Sequence, residues 1–201
     1  MKKYFKSILS VLFLFLVTTN ISQALEGDTP GKLIKGKAVY DGKRYVLLHP
    51  ASLFDADSSP STFRLGVVWD ERYGEELRLI IQFPISEQTN MEDLKKSAGT
   101  FEISIDGKPE QLTRVKDSII LNRESGVFSK TYDAEIRFTG SRKLLKKILS
   151  ASNVQFSVNV LLKKHQATLK VTSKSQENFH NREYTAIHGL KRFYKAVWGE
   201  E

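Results

Sequence analysis

The stretch from Phe63 to Phe83 constrains this chain more than any other. Phe63, Leu65, Val67 and Trp69 alternate with Arg64, Gly66, Val68 and Asp70. After a polar interval, Leu77, Leu79, Ile81 and Phe83 alternate with Arg78, Ile80 and Gln82. Successive side chains of a strand point to opposite faces, so period two on both arms sets one face of each against a core. The charged connection Asp70 to Glu76, with Gly74 inside it, reads as an exposed hairpin loop. A chain with this hairpin must build a sheet.

Further strands flank it. Leu25 to Lys35 holds Gly27, Pro30 and Gly31 without periodicity and reads as a flexible lead-in. Lys37 to Tyr40 and Arg44 to Leu48 surround Asp41-Gly42, a pair that favours the positive φ of a primed hairpin turn; His49-Pro50 is expected to end the second strand. Asn90 to Ala98 reads as a short helix with Asn90 as cap, acids first and lysines last, closed by Gly99. Phe101, Ile103 and Ile105 alternate ahead of the turn Asp106 to Pro109. Leu112 to Arg123 and Val127 to Phe138 are expected as strands around Glu124-Ser125-Gly126. In the second, Tyr132, Ala134, Ile136 and Phe138 face one way and Asp133, Glu135 and Arg137 the other.

From Ser141 to Ala151 the period changes to that of a helix. Leu144, Leu145, Ile148 and Leu149 make its stripe and Arg142, Lys143, Lys146 and Lys147 its polar side, with Ser141 as cap. Val154 to Leu162 alternates again, a turn is expected at Lys163 to Gln166, and Ala167, Leu169 and Val171 return. Arg182 to Trp198 has helical spacing through Tyr184, Ile187, Leu190, Tyr194 and Val197. Gly189 inside it costs roughly 1 kcal/mol against alanine, enough to allow a break. Strands joined by hairpins, without regular helical crossovers, predict a mainly β fold. The expected form is an antiparallel β-sandwich or partly open barrel with two or three short helices, including a C-terminal amphipathic one. Residues 36–201 would form the single globular domain.

Residues 1–24 are of another kind. Lys2, Lys3 and Lys6 precede the apolar run Ile8 to Val17, and Ser22-Gln23-Ala24 offers small residues for a cut after Ala24. That is the layout of a cleaved secretory signal peptide, its run about half the roughly twenty residues that span a bilayer. The expected location is therefore periplasmic or secreted. There is no cysteine, which excludes a disulfide framework, a thiolate zinc site and a thiol nucleophile.

Charge is divided unevenly. Residues 25–140 hold 16 Lys or Arg against 19 Asp or Glu; residues 141–198 hold 12 against Glu177 and Glu183 alone, a net of +10. Such a field concentrates polyanions and speeds their encounter. The candidate anion-binding residues are Lys143, Lys146, Lys147, Lys163, Lys164, Lys170, Lys191, Arg192 and Lys195, with Tyr184, Tyr194 and Trp198 as candidate interface aromatics.

Other chemistries have weaker support. No G-x-S-x-G elbow and no phosphate-cradling glycine motif occurs. Asp55 to Gly66 lacks the sixth-position glycine and twelfth-position glutamate of a calcium loop. Glu177 and His180 make one E-x-x-H pair, with His188 beyond it, where a dimetal site needs two. No metal or cofactor is expected. Asp70, Glu71, Glu75 and Glu76 are the acidic cluster a glycan hydrolase would need to bring together. The sequence thus points to a non-enzymatic exported module whose basic C-terminal third contacts an anionic envelope polymer, host-surface polymer or lipid headgroups, with nucleic acid not expected. An accessory subunit that binds a protein through the aromatic terminal helix or the Trp69 hairpin is the alternative, and a cell-wall or glycan hydrolase the next.

Overall fold

The computed structural model describes residues 31–53, 63–85, 89–97, 100–116, 118–125, 130–160, 163–169 and 186–199. The expected signal peptide lies outside these residues, as do most of the calcium-like loop, Glu177, His180 and the first turn of the expected terminal helix. No described helix is long and apolar enough to cross a membrane.

Among the described residues, ten strands form two antiparallel sheets that are not closed into a barrel. Sheet A has the order β1-β2-β3-β4-β8-β7, from β1 (Leu33–Lys37), β2 (Arg44–Ser52), β3 (Arg64–Asp70), β4 (Glu76–Ile85), β7 (Ile120–Ser125) and β8 (Lys130–Ser141). Sheet B has the order β10-β9-β5-β6, from β5 (Phe101–Ile105), β6 (Lys108–Leu112), β9 (Val154–Val160) and β10 (Lys163–Leu169). Three helices complete the described fold: α1 (Met91–Ser97), α2 (Arg142–Ser150) and α3 (Ala186–Trp198).

The central hairpin forms as the alternation requires. Leu65 pairs with Ile81 and Val67 with Leu79, and a 3-10 turn at Glu71–Tyr73 fills the loop. The inner faces of both sheets meet in one core. Phe101 of sheet B lies 5.0 Å from Phe138 of sheet A and stacks on Phe156 at 5.8 Å. Sheet B is two strands narrower than sheet A. Helix α3 covers the remaining inner face, along β1, β2 and β3. Gly189 is what lets it lie so close: a Cβ there would stand 2.7 Å from Leu48, which is itself fully buried. The helix runs unbroken through this glycine, so its propensity cost is offset by packing.

Several boundaries differ from the sequence reading. Strand β1 begins at Leu33, inside the expected lead-in. Its hairpin closes by a longer loop, where Gly42 donates to Ala38 O and only Gly42 has positive φ, so Val39 and Tyr40 stand outside the ladder. Strand β2 continues through His49-Pro50, because a bulge between Leu48 and Ala51 accommodates a residue without an N–H. Asp106-Gly107 is a two-residue turn with φ of 48° and 82°, which puts Lys108 and Pro109 on edge strand β6, where proline is tolerated. Val160 pairs with Lys163, so Lys163 to Gln166 belong to β10; they lack the Gly, Asn or Asp that marks a turn.

The expected single strand Leu112 to Arg123 is two strands in different sheets. After β6 the chain crosses to sheet A, bridging Arg114 to Phe138 beside β8 before β7 begins. The outward face of sheet A is also buried: Ile80 and Glu135 are 0% and 1% exposed, with Leu47, Gln82 and Asp133 beside them. Alternation marks which residues share a face; it does not tell a solvated face from a covered one.

Candidate functional site

Helix α2 follows β8 directly. Ser141 Oγ accepts from Leu144 N at 3.2 Å, the expected cap, and Leu144, Leu145 and Ile148 are buried. Unlike α1, where Glu92 and Asp93 occupy the first turn, α2 has no acid there. Helix α3 presents Ile187, Leu190, Phe193 and Tyr194 to the sheet, and Lys191 and Lys195 lie exposed beside them.

Between α2 and α3 lies a groove of about 510 Å³. Lys146, Leu149 and Ser150 line it from α2, and Lys191, Arg192, Tyr194 and Lys195 from α3. Four formal positive charges face this space, and no acid is among the described residues lining it. Its floor is carbon: Leu149 is half-buried against the core and the Tyr194 ring is buried, with lysine stems as further apolar wall. Arg192 donates one hydrogen bond to Gly31 O at 3.0 Å.

The structure thus brings together Lys146, Lys191, Arg192 and Lys195, four of the nine residues expected to bind anions. Lys147 goes elsewhere: one residue is about 100° of helix rotation, and it pairs with Glu110 on β6. Lys143 is exposed on α2 but does not line the groove. Lys163 and Lys164 stand on β10, the opposite edge of sheet B from β6, three strand spacings or about 14 Å away. Lys170 and Tyr184 lie outside the described residues.

Two of the three expected interface aromatics pack against other rings. Tyr194 is buried, and Trp198 packs against Trp69 at 6.4 Å, Phe193 at 6.3 Å and Tyr194 at 5.0 Å. The apolar stripe of α3 covers sheet A, so both rings pack on the core side of the helix; Tyr194 also lines the groove, and Trp198 stays partly exposed.

Arg142 is the residue that sequence reading missed. It donates to Glu75 at 3.0 Å and to the Tyr194 hydroxyl at 3.4 Å, and its guanidinium sits 5.5 Å over the Trp198 ring. It ties the β3–β4 loop, α2 and α3 together and fixes the spacing of the groove walls. Each acid of the cluster in that loop is paired with an arginine. Asp70 pairs with Arg72, Glu71 with Arg44, Glu75 with Arg142 and Glu76 with Arg78. Burial pushes the Asp70 carboxyl above the usual carboxylate range, against the pull of the Arg72 N–H. The Arg44 N–H holds exposed Glu71 below it.

No protein-family model, curated protein or solved structure matches this chain.

Proposed function

We propose that this protein is an exported, non-enzymatic binding module of the cell envelope or secreted space, and that it holds an anionic polymer or membrane surface at the α2–α3 groove. The observation that carries this reading is the convergence of Lys146, Lys191, Arg192 and Lys195, from two helices far apart in sequence, on one groove. Convergent cations bind a polyanion more tightly than the same charges scattered, since they release counterions from one stretch of ligand. The export half of the proposal rests on residues 1–24. Retention on heparin and on phosphatidylglycerol vesicles at low and high salt tests the binding half. The wild type should be held and released by salt, Lys146→Glu/Lys191→Glu/Lys195→Glu should elute early, and Lys163→Glu/Lys164→Glu should follow the wild type. Equal elution of both charge-reversed proteins would remove the groove from the account.

A second reading, an accessory subunit that contacts a protein partner, moves from the terminal helix to the hairpin tips. Val39, Tyr40 and Tyr73 are the exposed large apolar residues there, at 100%, 46% and 41%. Crosslinking from Tyr40 and Tyr73 in cells tests it, and loss of every adduct in Tyr40→Ser/Tyr73→Ser would support it.

A further inference from the structure

We infer that the β1–β2 hairpin tip enters the interface of an anionic bilayer, Val39 below the headgroups, Tyr40 beside it, and Lys35, Lys37 and Lys43 among the phosphates. This surface is separate from the groove, whose lining includes none of these residues. Val39 is 100% exposed and Tyr40 46%, side by side at a well-braced apex. Ala38 N donates to Lys43 O and Gly42 N to Ala38 O, both at 2.8 Å, and Lys43 N donates to the Asp41 carboxylate at 3.0 Å. The antiparallel order of β1 to β4 puts the β3–β4 tip at the same end. There Arg72 lies 5.1 Å over the Tyr40 ring, and Tyr73 stands 41% exposed. An apolar group held rigidly clear of its own protein loses little further ordering entropy when it is buried elsewhere.

Charge and size together name the occupant. Asp70, Glu71, Glu75 and Glu76 at this end are each paired with an arginine. Lys37 and Lys43 help to hold the Glu71 carboxyl low, but Arg44 is its bonded partner. Around the apex itself three exposed lysines, Lys35, Lys37 and Lys43, stand against Asp41, a net of +2. Lys37 is two residues behind Val39, at most about 7 Å of chain. Interfacial segments sink roughly 5–10 Å, so lysines set back by that much meet the phosphates, and tyrosine is at home at the headgroup level. A protein partner would need more. A stable complex buries about 800 Å² on each side, and Val39, Tyr40 and Tyr73 are the exposed large apolar side chains among the described residues. Three side chains on projecting tips fall short of such a buried centre, whereas a fluid bilayer closes around them.

The chain has no cysteine, so Val39→Cys takes a single environment-sensitive fluorophore. Glu92→Cys is the reference, exposed on α1, which follows the far end of β4. On vesicles of phosphatidylglycerol and phosphatidylcholine, the label at 39 should shift to the blue and be quenched by a shallow lipid-borne nitroxide. The label at 92 should do neither, and phosphatidylcholine alone should give a weaker shift at 39. In sedimentation with the mixed vesicles, unlabelled Val39→Ala, short of two methyl groups, should bind about tenfold more weakly with heparin retention unchanged. Lys37→Gln and Lys43→Gln should each weaken vesicle binding about fivefold. A label at 39 that stays in water while the protein sediments with vesicles would overturn the inference and leave the groove to hold the membrane. A label that changes only when a protein partner is added would overturn it in favour of the accessory-subunit reading. Absence of any vesicle binding would remove it too, while heparin retention still judges the groove.

Discussion

At the hairpin end of the molecule, four arginines each face one acid and one aromatic ring. Arg44 has Glu71 and Trp69, Arg72 has Asp70 and Tyr40, Arg78 has Glu76 and Tyr73, and Arg142 has Glu75 and Trp198. In the α2–α3 groove, by contrast, three lysines and one arginine line a space to which no described acid contributes. The planar guanidinium stacks on a ring while its edge meets a carboxylate, and so it fixes neighbouring loops. The lysine ammonium is a mobile point charge on a long stem, and it adapts to what arrives. The same net charge on the C-terminal third therefore serves two ends: Arg142 holds the architecture, and the groove lysines Lys146, Lys191 and Lys195 lie exposed. Stability and binding should separate along this division.

The largest effect is expected at the seam between the two regions. Trp198→Ala removes the ring on which Trp69, Phe193, Tyr194 and Arg142 all pack. Because that ring is only partly buried, the loss in urea unfolding should be about 2–3 kcal/mol, below the range for fully buried tryptophans. Gly189→Ala comes next. An exposed helix would gain roughly 1 kcal/mol from alanine. Here the new Cβ meets Leu48 at 2.7 Å, and overpacking should leave a net loss of about 1–2 kcal/mol. A stabilised Gly189→Ala protein would show that α3 does not lie as tightly on β2 as described.

A smaller effect sharpens the contrast directly. Arg142→Lys keeps the charge but loses the stacked, forked geometry, and should cost about 1 kcal/mol. Lys191→Gln in the groove should change stability by less than about 0.5 kcal/mol while weakening anion binding. Equal losses from the two substitutions would erase the division. The smallest effect concerns exposed Glu71, whose carboxyl is held low chiefly by the Arg44 N–H. A lowered folded value gives stability that is fully present above the ordinary carboxylate range and lost as pH falls below it through the lowered folded value. The deficit of Glu71→Gln against wild type should therefore close in acid, read by urea titration at a series of pH values. Asp70, raised by burial, works with the opposite sign over its own range.

Much of the architecture is legible in local pattern. The Phe63–Phe83 alternation, the Asn90 cap that accepts from Glu92 N, and the Ser141 cap of α2 each depend on residues close in sequence. What could not be read depends on distant partners. The crossing after β6 from one sheet edge to the other looks like uninterrupted strand, because both halves have β character. Glu135 sits on an alternating polar face that turns out to be covered. The candidate site shows the same limit. Charge composition pointed to the C-terminal third, but only the docking of α3 beside α2 brings Lys146 to the groove, while Lys147 pairs with Glu110. A stripe of rings at helical spacing likewise reads the same whether it faces a partner or the helix's own sheet, on which Phe193 and Tyr194 pack.

The central claim is that the groove, and not the basic third as a whole, receives the anion. Backbone amide shifts of the isotope-labelled protein, followed during titration with heparin at low salt, test it most directly. The account predicts saturable shifts concentrated at Lys146, Leu149, Ser150, Lys191 and Lys195, reversed by added salt. Shifts centred on Lys163 and Lys164 of β10, or spread evenly over every exposed lysine, would contradict it.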